Sequence, residues 1–212
     1  MIELVKEFYE LVEVDTGDLG KFKAKGMNFV TRHFDAEGLG SVSVMSAKGM
    51  MGLMKMETII VNPFFVDAPL FSYDKISVMG KDILYLEMFN TCIGDKFDIS
   101  NIEAVRNTFN DYPEHELGEH WYDFMRVGTP VCVEVKGKAK AALAQDTEKY
   151  IKAVLEACKA AEPCDATAKK EKAKVYSEGL LTNGGPATDP VKEQLGEEAT
   201  GEFFRKVLFA TD

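Results

Sequence analysis

The chain has 212 residues, of which 46% are hydrophobic, and its formal net charge is −10. This length and apolar content allow one domain with a substantial core, which we expect to span residues 1–212. The acidic balance argues against a general nucleic-acid-binding protein, because phosphate contacts need a basic face. No apolar run approaches the roughly 18 residues that suggest a membrane span. We therefore expect a cytoplasmic protein with neither nucleic acid nor membrane as a partner.

The first part of the chain predicts a helix followed by strands. Apolar side chains recur at helical spacing over residues 2–14, which indicates an amphipathic helix. Residues 27–34 and 41–47 then have strand character, and residues 48–52 form a turn. Three further strand-like runs follow, at Met56–Val61, Leu70–Val78 and Ile83–Phe89.

The second part of the chain is mostly helical. Its composition predicts a helix over residues 101–110, a strand over 131–135, and helices over 139–161, 166–178 and 197–209. Because strands gather in the first half and helices follow them, the order indicates an α+β fold rather than a doubly wound parallel sheet.

Three acidic residues lie within the central strand-like runs. Side chains alternate between the two faces of a strand, so Asp74 shares a face with apolar neighbours such as Leu70 and Ile76. A carboxylate in such a row is costly unless it is paired or protonated. Glu87 and Glu57 pose the same problem in the neighbouring runs. The alternative is that each of the three faces solvent, as one face of an antiparallel sheet often does.

The methionine cluster and the histidine pair each suggest a binding site, and each also has a purely structural interpretation. Methionines crowd between Met45 and Met56, where they line either an adaptable apolar pocket or an ordinary core. His115 and His120 suggest the zinc motif HExxH, but they are spaced i, i+5 instead of i, i+4, so they diverge around a helix. A solvated loop is the simpler interpretation. The four cysteines have no CxxC spacing, which argues against a zinc ribbon.

Two segments resemble the ferredoxin-dependent bilin reductases. Residues 68–74, Ala-Pro-Leu-Phe-Ser-Tyr-Asp, are similar to the family's proline, large apolar pair, small residue and proton-donating aspartate. Residues 191–209 are similar to its closing helix with a Val-Leu-Phe ending. The chain departs from the family at two places. Glu57 or Thr58 occupies the position of a histidine found in some members, and Asp189 lies where basic residues often hold propionates.

The resemblance implies an α+β fold, a three-layer α/β/α sandwich with a central, mainly antiparallel sheet. It implies reduction of a linear tetrapyrrole such as biliverdin, with electrons from ferredoxin or flavodoxin and no permanently bound cofactor. The acidic electron-transfer partner would dock on lysines, either residues 21–25 or 136–140.

Asp74 would be the principal proton donor and Glu57 a second one. Burial raises the pKa of an aspartate, and a carboxylate nearby raises it further. Substrate contacts would come from Glu87, Met45, Met56, Thr58 and Asp189. Two alternatives stay open: a non-catalytic protein that binds a tetrapyrrole or another small apolar ligand, and a scaffold without a ligand.

Overall fold

The computed structural model describes residues 1–185 and 188–212, and in this part of the chain eight strands form one antiparallel sheet. The strands are β1 (Leu11–Val14), β2 (Lys21–Ala24), β3 (Met27–Ala36), β4 (Gly40–Gly49), β5 (Met54–Pro63), β6 (Leu70–Val78), β7 (Lys81–Phe89) and β8 (Val131–Lys136). Their order is β1-β3-β4-β5-β6-β7-β8, and β2 also pairs with β3. Strands β3 to β7 follow one another as hairpins, so neighbours in sequence are neighbours in the sheet.

Helices lie mainly in the second half of the chain and confirm the α+β class. They are α1 (Ile2–Lys6), α2 (Ser100–Arg106), α3 (Ala139–Ala160), α4 (Ala166–Asn183), α5 (Thr188–Leu195) and α6 (Glu197–Glu202), with a π-helical turn at Phe203–Leu208. Short 3-10 turns lie at Gly17–Gly20, Met50–Gly52, Asn107–Asp111 and Asp123–Met125. Among the described residues, no helix has the length and apolar character needed to cross a bilayer.

The helix predicted over residues 2–14 is wrong in its second half. Helix α1 ends at Lys6, and Leu11–Val14 pairs as strand β1 with the end of β3. The sequence Leu-Val-Glu-Val is rich in residues that favour strands, and the open edge of β3 gives it hydrogen-bond partners. Tertiary pairing therefore overrides the helical spacing. Helix α4 also continues five residues beyond its predicted end at residue 178, to Asn183.

Alternation along the strands divides their apolar side chains between two clusters. One cluster contains Ile59, Phe71 and Tyr73 from the sheet, together with residues of α2 and α3. The other contains Ile60 and Leu70 from the sheet, together with residues of α4, α5 and the π-helical turn. Because Ile59 and Ile60 are consecutive in β5, the two clusters lie on opposite faces of the sheet.

The C-terminal π-helical turn is fastened to the sheet by buried polar side chains. Ser43 Oγ donates to the carbonyl of Val207 at 2.6 Å, and Asn62 Nδ2 donates to that of Phe209 at 2.7 Å. His33 Nδ1 lies 2.9 Å from Ser43 Oγ. All three side chains are buried. Because the Ser43 proton is directed to a backbone carbonyl, this Ser-His pair positions the chain terminus and does not form a nucleophile.

Candidate functional site

A polar row crosses the middle of the sheet on the face that carries the C-terminal elements. The register places Met45 opposite Thr58, Thr58 opposite Asp74, and Asp74 opposite Tyr85. Residues directly opposite one another in an antiparallel sheet point to the same face. Strands β4 to β7 therefore bring these four side chains into one line, with Cys132 of β8 next to Tyr85.

Asp74 is partly buried and is held by two hydroxyl groups. Thr58 Oγ1 donates to Asp74 Oδ1 at 2.5 Å, and Ser72 Oγ donates to Asp74 Oδ2 at 2.8 Å. Loss of water around the carboxylate raises its pKa, and the two hydroxyl donors oppose that change without cancelling it. The result is an acid that retains its proton to higher pH than an ordinary aspartate does. A raised pKa favours proton donation, because the donor must still hold its proton when the reaction needs it.

A second buried acid, Glu87, lies on the same face. It is opposite Ser72 in the register and is only 8% exposed. Arg126 Nε donates to Glu87 Oε1 at 2.8 Å. Burial raises the pKa of Glu87, the Arg126 cation lowers it, and the nearby charge of Asp74 raises it again. The two acids thus influence each other electrostatically, and Arg126 compensates part of their charge.

Glu57 points away from this pair, contrary to the prediction that it acts beside Asp74. It is opposite Lys75, and its neighbour Thr58 is the residue opposite Asp74. Lys75 shares its face of β6 with Tyr73, whereas Asp74 lies on the other face. Since adjacent residues of a strand face opposite ways, Glu57 and Asp74 cannot contact the same small ligand on one face of the sheet.

Aromatic side chains surround the two acids. The ring of Phe89 stacks on Tyr176 with a centroid distance of 4.2 Å and meets Tyr122 edge-on at 5.4 Å. Tyr122 and Tyr176 also meet edge-on at 5.5 Å. Burial is the largest cause of the raised pKa of both tyrosines, and the charges of Glu87 and Asp74 contribute. Burial likewise raises the pKa of Tyr85 to about 12. The acids thus lie in an aromatic, weakly hydrated setting.

The methionine cluster predicted to line a pocket is divided by the structure. Met45 is buried and Met56 is partly buried, and both lie on the Asp74 face. Met50 and Met51 are exposed at the turn between β4 and β5. Of these four, Met45 and Met56 are the ones on the Asp74 face, and Met54 lies on that face at the start of β5.

Asp189 and the two loop histidines lie further out. Asp189 is exposed in the first turn of α5. His115 lies 3.6 Å from a Glu134 carboxylate oxygen, and His120 stacks on Tyr122 at 4.8 Å. The loop expected over this segment is confirmed, and within it His120 is only partly exposed because its imidazole packs on an aromatic ring. Within residues 1–185 and 188–212, no three side chains of the metal-binding types are grouped to hold an ion.

Two cavities lie elsewhere on the molecule. One, of about 560 Å³, is lined by residues of α3 and of the loop around Lys96. The other, of about 570 Å³, lies between α4 and α6 beside the Glu178–Arg205 ion pair. Neither is lined by Asp74 or Glu87.

Sequence reasoning missed three members of this site: Arg126, Tyr122 and Tyr176. The first two lie just after the segment that contains His115 and His120, where the aromatic residues beside Trp121 were the only sign of burial. Tyr176 lies in the lysine-rich helix α4. There Ala173, Tyr176 and Leu180 have the three- and four-residue spacing of a buried face.

Comparisons with known proteins support the fold. No protein-family model and no curated protein sequence matches this chain. Among solved structures, it is similar to the selenomethionine form of phytochromobilin synthase from tomato, solved in complex with biliverdin. The TM-score is 0.71 at 12% sequence identity, and the match covers 99% of this chain and 80% of the other. A likeness at this identity shows a shared fold, which here is an antiparallel sheet with helices around it.

Proposed function

We propose that this protein reduces a linear tetrapyrrole, with Asp74 as the principal proton donor. The observation that carries the proposal is the Asp74 carboxyl, raised in pKa and held by Thr58 and Ser72 in the middle of the sheet. The structural likeness to a bilin-binding synthase supports it. The proposal includes the three-layer α/β/α arrangement expected from the sequence, which the apolar clusters on opposite faces of the sheet support.

The proposed reaction adds two electrons and two protons to one double bond of the tetrapyrrole. Ferredoxin or flavodoxin would deliver the electrons singly, because the chain's own residues offer no hydride donor. Asp74 would give the first proton to the reduced conjugated system and recover one from solvent. A donor must hold its proton when the electron arrives, and the raised pKa of Asp74 favours that protonated state.

Glu87 is the better candidate for the second proton. It shares a face with Asp74, and its own pKa is raised by burial. Glu57 cannot fill this role, because it points to the other face of the sheet. Arg126 would position Glu87 and limit the charge that two neighbouring acids build up. Met45, Met56 and the surrounding aromatic rings would contact the flat apolar body of the ligand.

The test is an absorbance titration with biliverdin, followed by anaerobic addition of reduced ferredoxin. We expect a saturable, shifted spectrum that changes again on reduction. Asp74→Asn should keep the first change and slow the second by about 100-fold or more. Glu57→Gln is the matched control, because it removes a strand carboxylate from the opposite face, and it should behave as the parent protein does.

The outcomes separate the proposal from its alternative. Reduction at the parent rate by Asp74→Asn would refute the role of Asp74. Binding without reduction by any donor would favour a non-catalytic tetrapyrrole-binding protein. Absence of any spectral change with biliverdin would refute the ligand class.

A further inference from the structure

The four turns at one end of the sheet share an unusual composition. Three connections between strands lie at this end: β2 to β3, β4 to β5, and β6 to β7. Strand β8 also ends there. The turns consist almost entirely of lysine, glycine and methionine: Lys25-Gly26-Met27, Lys48 to Lys55 (Lys-Gly-Met-Met-Gly-Leu-Met-Lys), Met79-Gly80-Lys81 and Lys136-Gly137-Lys138. None contains an acidic residue, although the chain has 35 acidic and 25 basic residues. We call these residues the turn surface.

Large apolar side chains project from the turn surface. Met51 is 102% exposed, Met79 75%, Leu53 61% and Met50 51%. They lie on two adjacent hairpin turns, since β5 and β6 pair directly and Met54 is opposite Val78. Exposed apolar groups that gather at one place mark an interaction site more often than scattered ones do.

Several lysines and methionines of these turns have positive φ, a backbone conformation that favours glycine, asparagine or aspartate. Lys25 and Met79 have φ values of 49°, and each precedes a glycine with positive φ. Two-residue hairpin turns of this kind prefer asparagine, aspartate or glycine at the first position. Met50 and Met51 also have positive φ, at 49° and 54°. Lysine and methionine therefore occupy positions where they cost folding stability, which indicates that their side chains serve another purpose.

The charges of the turn surface include an unfavourable pair. Lys48 and Lys55 are directly opposite in the register and both are exposed. Like charges in that position destabilise a sheet. Within the described part of the chain, neither lysine has a carboxylate at ion-pair distance, and the same holds for Lys138. The remaining lysines there are paired: Lys25 with Glu193, and Lys81 and Lys136 with Glu134.

We propose that the turn surface binds an anionic lipid bilayer at its interface, with the methionines and Leu53 inserted and the free lysines at the headgroups. The spacing of strands puts the turns in a row roughly 25 to 30 Å long. A row of separate projecting tips fits a planar, deformable surface, whereas an acidic protein would need a matching apolar pocket for each tip. The net charge of the whole chain matters little here, because charges beyond about 8 Å are screened at physiological salt.

This inference is independent of the proposed reduction. It revises the expectation that membranes are no partner, which rested on the lack of a spanning segment. Interfacial binding needs only apolar side chains at the surface and basic residues beside them.

The test is flotation of the full-length protein with phosphatidylcholine vesicles, with and without phosphatidylglycerol. We expect binding only to vesicles that contain phosphatidylglycerol, and we expect sodium chloride to weaken it. Met51→Asn combined with Met79→Asn should abolish binding. Asparagine suits positive φ, so this double variant should fold at least as stably as the parent protein and loss of binding cannot be ascribed to unfolding.

A charge variant and two controls complete the design. Lys55→Glu creates a favourable pair with Lys48, yet it should weaken vesicle binding about tenfold. Lys172→Glu makes the same charge change on an exposed position of α4, and Val175→Asn removes an exposed apolar residue there. Both should bind as the parent does. Three results would overturn the proposal. They are absence of vesicle binding, equal binding to neutral vesicles, and binding of the turn surface to an acidic electron-transfer protein but not to vesicles.

Discussion

Replacement of Thr58 by valine tests how the protein controls the Asp74 proton. Valine keeps the shape of threonine but removes the hydroxyl that donates to Asp74 Oδ1 at 2.5 Å. A hydrogen bond to a charged group contributes about 1.5–3 kcal/mol. Because one pKa unit corresponds to about 1.4 kcal/mol, the pKa of Asp74 should rise by roughly one to two units. Ser72 remains as the second donor and keeps the carboxyl in place.

The same change has a predicted effect on stability. The folded pKa of Asp74 already exceeds the unfolded value of about 3.9, so folded protein binds the proton more tightly. The free energy of unfolding therefore falls as pH rises from the unfolded pKa through the folded one. In Thr58→Val that fall should extend to higher pH. The variant should lose about 1.5–3 kcal/mol of stability above the folded pKa and much less near pH 4.

Infrared difference titration would measure the pKa, with Asp74→Asn used to assign the carboxyl band. Urea unfolding across the same pH range would measure stability. Thr58→Ser retains a hydroxyl at this position and should titrate close to the parent protein. If the pKa of Asp74 in Thr58→Val stayed the same or fell, the inferred hydrogen bond to the carboxylate would be wrong.

Two further variants test the surroundings of the site. Arg126→Met leaves Glu87 buried without its cation, so the free energy of unfolding should fall by about 3–5 kcal/mol at neutral pH. The loss should be smaller at acid pH, where Glu87 is protonated. Urea unfolding at the two pH values would measure both losses, and equal losses would contradict the prediction. Gly179→Ala places a methyl group where the ring of Trp121 lies, so the ring must move. We expect a loss of about 1–3 kcal/mol and a shift in the fluorescence of Trp121, the chain's one tryptophan, and an unchanged spectrum would refute that packing.

The sequence alone was sufficient for the central strands, and it singled out Asp74 and Glu87, although it named Glu57 as the second donor. Side chains alternate with a period of two, and the turn at Met79-Gly80 is short, so the register of β6 and β7 follows from the sequence. That register puts Asp74 and Glu87 on the same face. The resemblance in residues 68–74 and 191–209 led to the family of folds that the structural comparison supports.

The position of Glu57 depended on the tertiary structure. Alternation correctly groups Glu57 with Ile59 and Val61, but it cannot say which face of β5 lies beside Asp74. That choice depends on the register between β5 and β6, which the irregular segment 64–69 sets, and a shift of one residue would exchange the faces.

Long-range packing decided the rest of the site. Arg126 and Tyr176 come to Glu87 from segments far along the chain, and their own neighbours in sequence give no sign of that meeting. Likewise, Leu11–Val14 became a strand only because β3 left an edge to pair with. Local spacing thus fixes which side chains share a face of one element. Which elements then meet is decided by the burial of apolar surface and the pairing of buried polar groups across the whole chain.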